Sequence, residues 1–132
     1  MISIEENPVL ELEQRYLCIL SANGTLSNAS VALDLYKVHG LERRAQEYAN
    51  SFLKREKEIE ITLKSVLGKQ LSESKFELNE ELSGLNKILN DIKNGEYNSI
   101  NEEAVEKSQQ FIRYATDIFS DILEKTQAPW YF

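Results

Sequence analysis

The chain has 132 residues, 42% of them apolar and 28% charged, with 22 acids against 15 lysines and arginines. That composition fits one folded domain with a core of its own and excludes a disordered chain. A formal charge of −7 disfavours binding to a nucleic-acid backbone across the whole surface.

The charge is unevenly spread. Residues 1–36 carry five acids and one base, residues 37–69 five acids and eight bases, and residues 70–132 twelve acids and six bases. A basic middle between acidic ends reads as segments that pack side by side, with a patch for an acidic partner as the alternative. The single cysteine, Cys18, excludes an internal disulfide framework and points to a reducing compartment. No charged-then-apolar leader precedes the sequons at Asn23 and Asn28, so the expected location is cytoplasmic. The apolar runs are too short to span a membrane, and no membrane association is expected.

In chain order, Asn7-Pro8 opens a first helix, with Asn as cap and Pro at the first helical position. Its stripe is Val9, Leu12, Tyr16, Ile19 and Leu20, broadened by Leu10 and Leu17, and Asn23-Gly24 is its expected stop. Ser27 then caps a second short helix, roughly 28–38, on Val31, Leu35 and Val38. The third and longest helix runs from Leu41 to Leu67, free of Gly and Pro, with a charged centre at Lys54–Glu58 and its stop at Gly68. The fourth, from a cap at Ser72 or Ser74 to Lys93, holds the seam Leu78, Leu82, Leu85, Leu89 and Ile92, and Asn94-Gly95 ends it. Gly84 interrupts that helix, with close helix–helix approach as an expected reason. The last helix, 101–127, follows a capping box Ser99…Glu102 or a rival cap at Asn101. It carries Val105, Phe111, Ile112, Ala115, Ile118, Phe119 and Ile122 on one stripe.

These lengths and short connections predict an all-α fold: an antiparallel four-helix-like bundle built from about five helices, two short and three long. The rival arrangement is an elongated helical hairpin completed by dimerisation. Residues 1–127 form the expected domain and 128–132, Ala-Pro-Trp-Tyr-Phe, an aromatic tail.

Chemistry is sparse. His39 is the sole histidine, so it would have to serve any site pairing a Ser or Cys with a His, and Cys18 lies on a separate expected helix. Di-iron bundles need two Glu-x-x-His motifs, which one histidine does not supply. The run His39–Ala45 meets the His-x-Leu-Lys-Gly pattern of histidine phosphotransfer domains at His39 and Leu41, with Glu42 and Arg43 in place of Lys and Gly. The five glycines are scattered singly, so no phosphate loop is present. The expectation is a non-enzymatic helical interaction module without a cofactor: an adaptor, an assembly or secretion chaperone, or a small subunit of a larger complex. Its partner is another protein or a second copy. The candidate contacts are Trp130, Tyr131 and Phe132 of the tail and Arg43, Arg44 and Arg55 of the basic middle. The second reading is an acidic inhibitor or immunity protein that covers a basic enzyme surface such as a nuclease, presenting Glu73, Glu77, Glu80 and Glu81.

Overall fold

In the computed structural model, residues 8–126 are described, with side chains from Glu13 to Lys125. They form five α-helices and no strand: α1 Pro8–Leu35, α2 Glu42–Lys54, α3 Glu56–Ser72, α4 Leu78–Lys93 and α5 Glu102–Thr126. A single 3₁₀ turn, Tyr97–Ser99, lies between α4 and α5.

The N-terminal pair of short helices is corrected to one helix. α1 runs through Asn23-Gly24 because Ile19, Ala22, Leu26, Ala29 and Leu33 form one buried stripe across it, and breaking the helix there would split the core. Gly24 does not adopt the positive φ of a C-cap, which is found at Gly40 and Gly95. Ser27, expected to cap a second helix, bonds backwards instead, as does Thr25 before it. Thr25 Oγ1 donates to the Ser21 carbonyl at 2.8 Å and Ser27 Oγ to the Asn23 carbonyl at 2.9 Å.

The expected long helix 41–67 is also corrected. It breaks at Arg55, whose φ of −114° and ψ of 12° leave the helical region, and α3 then passes through Gly68 to Ser72. Between Phe52 and Ile59 no side chain is fully buried and only Leu53 packs partly against the core, so the break falls where the core asks least of the helix. The break is small in hydrogen-bond terms: Arg55 N donates to Phe52 O at 2.9 Å and Arg55 O accepts from Ile59 N at 3.1 Å.

Caps settle the remaining boundaries. Glu77, not Ser72 or Ser74, caps α4, its carboxylate accepting from Glu80 N at 2.7 Å. Ser74 Oγ instead holds the preceding turn, accepting from Phe76 N at 3.1 Å. Asn101 wins over Ser99 at α5, accepting from Glu103 N at 2.8 Å, while Ser99 donates back to Glu96 O. Gly84 has nothing within 4 Å of where a Cβ would stand, so close helix approach does not account for it.

α1 packs most extensively on α2 and α5, α2 also on α4, and α4 on α5, while α3 touches α1, α4 and α5. α1 and α5 run antiparallel, since Lys37 pairs with Glu102 and Gln109 Nε2 donates to Asp34 Oδ1 at 2.8 Å. Among the described residues, Phe52, Phe111 and Phe119 are the largest fully buried side chains, drawn from α2 and α5.

Candidate partner-binding groove

The break at Arg55 sets the chain down beside the first half of α1. There α1 and α3 leave between them an open groove of about 350 Å³. Leu17, Ala22, Ile59 and Ile61 line it, together with the thiol of Cys18. Its lining is largely apolar, yet Leu17 stays 48% exposed and Ile61 69%, and Leu20 beside them 46%. Three aliphatic side chains left in water near one groove are a local concentration of unburied apolar surface.

Arg55 stands at the boundary of two hollows. It lines the apolar groove and also a second, polar one of about 490 Å³ between α1 and α2. Its Nη1 donates to Ser21 Oγ at 3.2 Å, tying the broken turn to α1. No carboxylate of the described residues lies within 4.0 Å of the guanidinium, so this hydroxyl bond leaves its charge without a counter-ion. Glu58 lines the apolar groove from α3, three residues beyond Arg55.

The other expected contact residues are not gathered here. Arg43 and Arg44 are exposed at the start of α2, about 17 Å from Arg55 along the helix axis at roughly 1.5 Å per residue. Arg43 Nε lies 3.9 Å from Glu47 Oε1 in an exposed pair. Trp130, Tyr131 and Phe132 fall outside the described residues. The expected acidic face is partly occupied by structure, since Glu77 caps α4 and Glu81 is buried, 3.4 Å from Lys107 Nζ.

Leu17, Leu20 and Ile61, exposed around the two hollows, were not among the expected contact residues. Leu17 and Leu20 read as stripe positions of a helix expected to bury them. Ile61 carried a legible signal: it falls off the buried positions Ile59, Leu63 and Leu67, and an aliphatic residue off the stripe faces water.

His39 is fully exposed in the connection after α1, with Nδ1 3.9 Å from Glu42 Oε1. Cys18 and the end of α1 at Leu35 are separated by about 26 Å of helix, which rules out a Cys18–His39 pair within one chain. Among the described residues no group of three His, Cys, Asp or Glu side chains is placed to hold a metal ion. No helix of the described residues is long and apolar enough to cross a membrane. Comparisons with protein-family models, with curated proteins and with solved structures find no match to this chain.

Proposed function

We infer that this chain is a non-enzymatic helical interaction module, with α1, α2, α4 and α5 as a four-helix-like bundle and the α1–α3 groove as its contact surface for another protein. The observation that supports this reading is the exposure of Leu17 and Ile61 in a largely apolar groove, with Leu20 exposed on the adjoining hollow. Water against three aliphatic side chains is unfavourable by roughly 25 cal/mol per Å², and a partner helix that covers them recovers that free energy. A second copy of the chain is the self-association form of the same reading. The cytosol, where Cys18 stays reduced, is its proposed setting. Trp130, Tyr131 and Phe132 belong to the proposal as a second, aromatic anchor.

The test pairs partner recovery and solution mass of the intact chain with those of Leu17→Asp/Ile61→Asp. A recovered protein counts when the purified partner rebinds and slows alkylation of Cys18, which lines the groove. The double variant is expected to fold, remain monomeric and lose that partner. A folded double variant with unchanged partner and mass would sink the groove reading. Removing Trp130–Phe132 then asks whether the aromatic anchor adds affinity.

A further inference from the structure

The two hollows that meet at Arg55 differ in chemistry, and the difference specifies what suits them. The α1–α3 groove is largely apolar and carries one acid, Glu58. The α1–α2 hollow on the other side of Arg55 is mainly polar, with the hydroxyls of Ser21, Thr25 and Ser51 and the amide of Asn28 beside the half-exposed Leu20. In a chain with 22 acids and a charge of −7, no carboxylate lines that second hollow. Its one charged group is the Arg55 guanidinium, which within the described residues is bonded to Ser21 Oγ and paired with no carboxylate.

The surface of α1 at this hollow includes a glycine. Gly24 sits in mid-helix, costs about 1 kcal/mol relative to Ala, and has nothing within 4 Å of where a Cβ would stand. Gly68 and Gly84 are equally open, so bareness by itself marks nothing. At Gly24 it coincides with the hollow beside Arg55 and lets another backbone approach α1 closely.

We propose that the two hollows together bind an acidic amphipathic helix of another protein, its aliphatic side chains in the α1–α3 groove and one Asp or Glu carboxylate against Arg55 in the α1–α2 hollow. This rests on the groove being the contact surface and adds the charge of the partner. Glu58 directs the carboxylate away from the groove by like-charge repulsion, and Arg55, Ser51 and Asn28 offer donors on the other side. An Arg–carboxylate contact partly shielded from water is strong and directional, so it sets which apolar helices are accepted.

The experiment titrates the whole chain with three capped synthetic helices, followed through its backbone amide resonances. Each peptide presents Leu at i, i+4 and i+7 in an Ala/Gln background, with Glu, Gln or Lys at one intervening position. The Glu peptide is expected to bind saturably and to shift resonances in 17–28 and 51–62. The Gln peptide should bind about tenfold more weakly, and the Lys peptide weaker still. Arg55→Gln should lower affinity for the Glu peptide about tenfold and leave the Gln peptide unchanged, while Ser65→Ala, exposed on α3 and lining neither hollow, should leave both affinities unchanged. Equal binding of all three peptides in the groove would overturn the charge assignment and leave the groove reading standing. No saturable binding of the Glu peptide at millimolar concentration overturns the proposal outright, and partner recovery with Leu17→Asp/Ile61→Asp then judges the groove reading separately.

Discussion

The two ends of α1 are finished differently. At its C-terminal end the connections are closed by side chains. Tyr36 is buried with its ring centroid 6.1 Å from that of Tyr97, Gln46 Nε2 donates to Tyr97 Oη at 2.9 Å, and Lys37 reaches across to Glu102. Near residues 17–25 of the same helix, Arg55 Nη1 to Ser21 Oγ is the polar tie across the gap, and aliphatic surface around it stays in water. The C-terminal end ties its polar groups together within the chain, although Val38 stays 42% exposed there. The stretch 17–25 instead borders an apolar groove and, among the described residues, an Arg55 charge with no carboxylate partner. The two neighbouring hollows at Arg55 are what support the proposed binding at this open end.

The largest test of this contrast is paired truncation. Tyr36→Ala removes a buried aromatic ring and should destabilise the protein by about 3 kcal/mol, read from urea unfolding. Leu17→Ala and Ile61→Ala should stay within about 0.5 kcal/mol of the parent, since both side chains are largely in water already. If Ile61→Ala costs as much as Tyr36→Ala, the open end is core and the contrast fails. Next in size, Asn101→Ala should cost about 1 kcal/mol, because its carboxamide oxygen accepts from the free N–H groups at the start of α5. Gly24→Ala and Gly84→Ala should each stabilise by up to about 1 kcal/mol, as neither added methyl meets a neighbour. The two glycines then separate. A methyl at position 24 projects into the hollow beside Arg55 and should weaken the Glu peptide, and a methyl at 84 should leave its affinity unchanged.

The parts of the fold legible in the sequence are those where local signals and tertiary packing agree. α4 stops at Asn94-Gly95 and α5 starts after Asn101 because turn chemistry, caps and the apolar stripe all point to the same boundaries. The reading fails where local signals compete with packing. Asn23-Gly24 has the composition of a stop, but burial of Ala22, Leu26 and Ala29 on a continuous face outweighs the weak helix propensity of one glycine. At Arg55 the conflict runs the other way: good helix formers surround a break that lets α3 lie against α1, α4 and α5. The groove inherits that illegibility. Leu17 and Ile61 are more than forty residues apart in sequence and face the same hollow only because the chain turns at Arg55. The charge of Arg55 is legible in the sequence, whereas its bond to Ser21 depends on the break and is not.

The smallest expected effect lies at the closed end, in the pair Lys37–Glu102. The hydrogen bond from Lys37 holds the Glu102 carboxyl below its ordinary value of 4.5, with the lysine's charge adding to the effect. The same hydrogen bond raises the Lys37 ammonium above 10.5. A lowered carboxylate contributes stability that is present above its unfolded value and is lost as pH falls through the folded one. A raised ammonium contributes stability that is complete below its unfolded value and is lost as pH rises through the folded one. The difference in unfolding free energy between the parent chain and Lys37→Met should therefore be flat from about pH 5 to pH 10, shrink in more acid solution and shrink again in more alkaline solution. Both side chains are more than half exposed, so the plateau should be small and should diminish in high salt. A plateau that survives high salt unchanged would mean the pair is shielded in solution. The closed end would then be held by charge as well as by the Tyr36–Tyr97 contact, and its contrast with the open end would be larger than the packing alone implies.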